Sequence, residues 1–189
     1  MFFQWGDTQG YKITLGDVQN ESQGFYNISS TEPEMKQFAS NFSDYKLYSN
    51  GSFTKYDGND GLTTLELSDD AANADYSKMR IPTKEECEEL LAETNSAWTD
   101  NYNGTNVKGC IFTSKVDETK SIFVPAVGAG CDGIAGNVGF LSNLWSSSLY
   151  ESDVKGAYYI GFDSLRGYVI PCGRFFGIPV RGVKIPIES

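Results

Sequence analysis

Apolar positions recur with two different periods along this chain. From residue 83, "TKEECEELLAE" puts Cys87, Leu90 and Leu91 on one stripe, and Thr83 with Glu86 forms a T-x-x-E capping box. Glu85 and Glu86 suit the positive end of a helix dipole, so the spacing predicts a helix over 84–94. A second box, Thr31 with Glu34, precedes Met35, Phe38, Ala39 and Phe42 on a shared face and predicts a short helix over 31–42. "SDDAANADY" at 68–76 reads as a turn or two of helix behind a Ser68 cap.

After about residue 96 the period shortens. "CIFTSK", "SIFVPAVG", "LWSSSL", "AYYIGF", "GYVIP" and "VRGVKIPI" are short, β-rich and punctuated by Gly, Pro, Ser or Asp. Within them Tyr158, Ile160 and Phe162 project one way as a core face, and Tyr159, Gly161 and Asp163 the other. Further on, Tyr168, Ile170 and Cys172 oppose Val169 and Pro171. Helices in the first half and strands in the second imply an α+β fold, two short helices with a loop-rich antiparallel sheet.

Composition narrows the chemistry. At 189 residues the chain fits one domain, 1–189. Met1 runs directly into "FFQWGD", which reads as the interior of a domain, so an upstream segment is expected. A formal charge of −10 repels phosphate backbones and argues against nucleic acid, and no apolar run is long enough for direct membrane insertion. There is no histidine, which removes Ser-His-Asp and Cys-His nucleophile systems and most zinc sites. Cys87, Cys110, Cys131 and Cys172 are too widely spaced for a metal knuckle; free thiols are expected, with disulfides open in an oxidising setting. The loop "YDGNDG" at 56–61 offers Asp57, Asn59 and Asp60, but the twelfth position of a calcium loop would be Ser68, so a plain turn is expected and no metal or cofactor.

One stretch departs from the rest. Residues 156–183 contain no Lys, Glu, Gln, Met or Trp, whereas 32 of the first 155 residues are of these types. At that rate about six would fall in such a window.

"FQWGD", "KMRIPTKEECEELL", "SIFVPAVG", "LWSSSL", "AYYIGF", Arg174, Gly177 and "VRGV" occur in that order. Together they resemble the C-type-lectin-fold domains of gut-bacterial surface proteins and their phages. They are similar too to the variable proteins of diversity-generating retroelements, which share a fold with the formylglycine-generating enzyme. The resemblance runs over most of the chain, although residues 12–30 contribute little. It implies a C-type lectin fold on a phage virion or bacterial cell surface, with 145–183 as a variable ligand-binding region.

In that family a reverse transcriptase randomises template adenines, mostly in AAC or AAT codons, and the third base stays a pyrimidine. Pyrimidine-ended codons encode none of the five missing residues. The positions the resemblance marks as substitutable and ligand-binding are Tyr150, Asp153, Gly156, Tyr159, Gly161, Asp163, Leu165, Arg166, Tyr168, Ile170, Cys172, Gly173 and Phe176. A non-diversified structural surface module of the same fold is the alternative.

Catalysis is not expected. The formylglycine-generating relatives use two neighbouring cysteines near the C-terminus, and here Cys172 stands forty-one residues after Cys131. The Tyr-rich candidate face suits a protein receptor ahead of a surface glycan, and the sugar-binding motifs Glu-Pro-Asn and Gln-Pro-Asp are absent. Trp145 is expected in the core, with Ser146, Ser147 and Ser148 tying strand ends through their hydroxyls. Arg174 and Arg181 are expected to make ion pairs that hold the final loops, or to touch ligand. If the thirteen positions form a display face, Tyr159, Tyr168, Ile170 and Phe176 should be accessible and nearly free of folding energy.

Overall fold

The computed structural model describes residues 1–33, 42 and 45–186. Strands β1 (Lys12–Asn20) and β2 (Phe25–Glu32) form an antiparallel hairpin with several register shifts. Thr31 and Glu32 are therefore the end of a strand, opposite Ile13 and Lys12. The rest of the expected 31–42 helix lies outside the described residues, apart from Pro33 and Phe42.

Helix α1 (Ala71–Asp75) begins behind Asp70, not Ser68. One Asp70 oxygen accepts from the N–H groups of Ala72 (2.8 Å) and Asn73 (3.1 Å), and the other accepts from Ile81 N–H at 2.7 Å. A carboxylate satisfies three donors where a serine hydroxyl would satisfy one or two, and Ser68 is taken up in a 3₁₀ turn.

Helix α2 (Lys84–Glu93) carries the expected capping box: Thr83 Oγ1 accepts from Glu86 N–H and the Glu86 carboxylate accepts from Thr83 N–H at 2.8 Å. Arg80 donates to both Glu86 oxygens at 2.6 Å, which clasps the helix start and holds the Glu86 carboxyl below its usual range.

Strands β3 (Thr94–Thr99), β4 (Gly109–Ser114) and β5 (Ser121–Pro125) make one antiparallel sheet in that order. β6 (Ala129–Cys131) and β7 (Ile134–Gly136) form a tight hairpin that joins β2, giving the order β1-β2-β7-β6. β8 (Ser142–Leu149), β9 (Gly156–Phe162) and β10 (Gly167–Gly173) form the third antiparallel sheet, with β9 central. Val183–Lys184 pairs with Met79–Arg80 just ahead of α2. The class is α+β, mostly strand. The long β1–β2 hairpin corrects the expectation that strands gather in the second half.

The β8-β9-β10 sheet lies between two apolar clusters. One face carries Trp145, Leu149 and Ala157 into a cluster with Phe3, Trp5, Tyr45, Tyr56 and Ile178. The other carries Leu144, Ile160 and Phe162 against Cys87, Cys110, Phe112 and Val124, beneath Leu90 and Leu91 of α2. Trp145 is fully buried, as expected, and its indole N–H donates to Phe3 O at 2.8 Å. The serines that follow it tie the neighbouring chain: Ser146 Oγ donates to Tyr158 O, Ser147 Oγ to Pro82 O, and Ser148 Oγ accepts from Lys84 N–H.

The N-terminal segment is stitched to the C-terminal one. Phe3 and Ile178 exchange both backbone hydrogen bonds at 3.0 Å, and Trp5 N–H donates to Arg174 O.

Candidate ligand-binding face

The β9–β10 hairpin is in register from Gly156 opposite Gly173 to Phe162 opposite Gly167, without a bulge. Its tip is set by Asp163, whose Oδ1 accepts from the N–H groups of Leu165 (2.7 Å) and Arg166 (2.9 Å). At the other end Asp153 Oδ1 accepts from Lys155 N–H, and Tyr150 N–H donates to Gly156 O.

The thirteen candidate positions fall into three groups along this hairpin. Asp163, Leu165 and Arg166 stand at the tip, with Leu165 90% exposed and Arg166 exposed. Tyr159, Gly161, Tyr168, Ile170 and Cys172 share one face of the middle. Tyr150, Asp153, Gly156, Gly173 and Phe176 belong to the far end. Six residue rises separate the ends, about 20 Å, so the positions make a strip and not one compact cluster.

Accessibility along the strip is uneven, and this corrects the expectation of a uniformly open face. Asp153 and Ile170 are exposed, and Tyr150, Tyr168 and Gly173 are half-buried. Gly156 and Gly161 are buried and offer no side-chain surface. A Cβ on Gly161 would stand 2.4 Å from the Tyr168 ring, because Tyr168 lies flat across its cross-strand glycine. Gly161 therefore varies only together with Tyr168.

Tyr159, Cys172 and Phe176 pack against the cluster that holds Trp145, and Tyr159 meets Trp145 and Tyr168 edge-on with centroids 6.4 and 6.2 Å away. Burial pushes the Tyr159 phenol well above its ordinary pKa, and the Tyr168 hydroxyl and Cys172 thiol beside it add to the shift. These three positions hold the fold as well as facing the strip, so they are not free of folding energy. On the opposite face Ile160 and Phe162 are core, as expected. Tyr158 departs from that expectation: it is half-buried, with Lys84 Nζ 4.9 Å above its ring and Tyr150 edge-on at 5.5 Å.

Among the described residues Arg174 makes no ion pair. It is fully buried and donates to the carbonyls of Tyr56, Val154 and Lys55 and to the Tyr45 hydroxyl, at 3.0 to 3.2 Å. The rings of Trp5, Tyr45, Phe53 and Tyr56 surround its guanidinium, 4.4 to 5.8 Å away. Among the described residues, carbonyl dipoles and ring faces stabilise the buried cation. Arg181 also lacks an ion pair among the described residues; it donates to Phe123 O at 2.9 Å. It borders a cavity of about 510 Å³ between α2 and the sheet, lined by Cys87, Leu90, Ile122, Leu144 and Ile160. Sequence reading found neither the ring cage nor this cavity, since both are assembled from segments far apart in the chain.

The four thiols are unpaired. Burial lifts Cys110 and Cys131 to about 11 and Cys87 to about 12, and lifts Cys172 further, with the Cys131 thiol adding to the effect. Thiols held this far up are poor nucleophiles at neutral pH. In the 56–61 loop the carboxylates are already used: Asp57 accepts from the N–H groups of Asn59 and Asp60, and Asp60 from those of Tyr56 and Leu62.

Set against known proteins, the chain matches no family model, no curated protein and no solved structure.

Proposed function

We propose that this chain is a non-catalytic display domain of C-type lectin fold, presenting the β9–β10 hairpin and its flanking loops to a protein receptor at a phage or bacterial surface. The observation that carries the reading is the coincidence of two boundaries. The stretch without Lys, Glu, Gln, Met and Trp begins at Gly156, the first residue of β9, and covers the whole hairpin. Pyrimidine-ended codons account for those five absences together. The pairing of the first residues with Ile178 supports the C-type lectin reading, and the elevated thiols favour binding over oxidase chemistry.

The accessible part of the strip supplies a mixed surface. Leu165 and Ile170 offer apolar area, Tyr168 a rigid amphipathic ring, and Asp163 and Arg166 opposite charges at the tip. Such a set suits a protein epitope, where aromatic and Arg anchors carry most of the binding energy.

Sequencing the DNA that flanks the gene tests the retroelement origin. A near-identical non-coding copy of the 3′ end, next to a reverse transcriptase gene and differing at template adenines, is expected. Its absence would leave a fixed surface module as the reading.

A further inference from the structure

The two outer strands of the β8-β9-β10 sheet end in different ways, and the difference names a mode of binding. Arg174 N–H donates to Lys155 O at 3.0 Å and Asp163 N–H to Arg166 O at 3.1 Å, one at each end of the hairpin. Both pairs fall in the register of Gly156 with Gly173. In an antiparallel ladder bonded pairs alternate, so Tyr168, Ile170 and Cys172 turn their backbone groups inward to β9. Gly167, Val169, Pro171 and Gly173 must turn theirs outward. Pro171 fits this assignment, because its missing N–H falls on the outward side, where a ladder loses nothing.

No described strand lies on that outer side: β10 pairs with β9 alone. Gly173 O is taken by Phe176 N–H. Both groups of Gly167, both groups of Val169, the Pro171 carbonyl and the Gly173 N–H have no partner among the described residues. The strand that bears them contains no charged residue and no bulge, so Pro171 is the one edge-protecting feature within its own sequence.

We infer that β10 is a strand-addition site, which captures an extended, uncharged or basic segment of a partner protein as a fourth strand beside Val169. This rests on the display reading and specifies how the receptor would be held: main-chain bonds to Gly167 and Val169, and apolar contact with Ile170 and Tyr168. A second copy of this chain is the poorer occupant. Two-fold pairing along the whole strand would place Pro171 opposite an outward-facing residue twice, where a foreign strand meets it once, and each copy carries a charge of −10.

Amide hydrogen exchange on the full chain tests the free edge without any ligand. The Gly167 and Val169 amides are expected to exchange at least about tenfold faster than those of Tyr168, Ile170 and Cys172. Protection of Val169 in the free chain would overturn the inference. For binding, the probe is a displayed library of random linear decapeptides, with selected peptides measured against wild type, Val169→Ala and Val169→Pro. Both substitutions replace the Val169 side chain, but only proline removes the outward N–H and blocks an approaching strand. Affinity should fall about tenfold or more between the Ala and Pro variants. N-methylation along a selected peptide should weaken binding at every second residue. If Val169→Pro does not fold, that N-methyl scan and the exchange rates still decide. Recovery of no binder, equal affinity for the two variants, a scan without period two, or a dimer abolished by Val169→Pro would each overturn the inference. Binders lost on Tyr168→Ser with Ile170→Ser, but indifferent to Val169→Pro, would retain the display face and remove the edge.

Discussion

β8 and β10 flank the same central strand, yet they are specified in opposite ways. All eight residues of β8 are buried, while β10 is half-buried except at Ile170, which is exposed. The outer edge of β8 is closed by three separate segments: Trp145 N–H donates to Pro179 O, Ser147 N–H to Pro82 O and Leu149 N–H to Thr63 O. β10 is placed by the turn at Asp163, by its cross-strand pairs and by Cys172 and Val169, which pack on the two clusters. One strand is hydrogen-bonded along both edges and the other, among the described residues, along its inner edge only, apart from Gly173 O. Tolerance to substitution should therefore change across the width of a single sheet.

The largest contrast is expected from Trp145→Ala, which removes a fully buried indole and the Phe3 hydrogen bond and should cost roughly 3–5 kcal/mol in denaturant unfolding. An unchanged unfolding midpoint would break the comparison at its fixed side. Gly161→Ala comes next. It forces Tyr168 off the backbone, for about 1–3 kcal/mol, and the cost should largely vanish in a Tyr168→Ser background. Additive effects in that double-mutant cycle would mean that the two positions vary independently.

A smaller effect concerns the helix clamped over the buried face. The Arg80–Glu86 pair holds the Glu86 carboxyl down in the folded chain, so it adds stability above the ordinary glutamate range and loses it as pH falls through the depressed value. Glu86→Gln should cost about 1 kcal/mol at pH 7 and progressively less toward pH 3, read from urea midpoints. A gap that widens on acidification would contradict the pairing. Smallest of all, Ile170→Ser or Leu165→Ser should shift stability by only about 0.5 kcal/mol. A loss of several kcal/mol at Ile170 would place β10 with β8 and erase the distinction.

What could be read in the sequence follows the same division. α2 was legible because its cap, its acidic first turn and its apolar stripe are all local. The strands with dense β-branched or aromatic content, such as Gly109–Ser114 and Gly156–Phe162, were legible for the same reason. β1 was not, since Leu15 and Val18 point into solvent and repeated register shifts break its alternation. The β6–β7 hairpin did carry a signal: Asp132 and Gly133 both adopt positive φ (52° and 72°), the type I′ pattern that an Asp-Gly pair announces. On the candidate strip the alternation separated Ile160 and Phe162 from Tyr159 correctly. It could not reveal that the second face also has a core beneath it, because Trp5 and Tyr45 arrive from distant segments.

The cage around Arg174 also sets an order of events during synthesis. Its ring walls and carbonyls come from residues 5 to 56 and from Val154, and Gln4 Nε2 reaches Phe175 O across 171 positions. Contacts this distant in sequence form late and slowly. At about 5–20 residues per second the first aromatic side chains wait on the order of ten seconds or more for the segment that covers them. Residues 174 to 178 thus complete the burial of Phe3 and Trp5, made about 170 positions earlier. A chain whose β9–β10 hairpin cannot close leaves Phe3 and Trp5 uncovered, and is marked for chaperones and proteases.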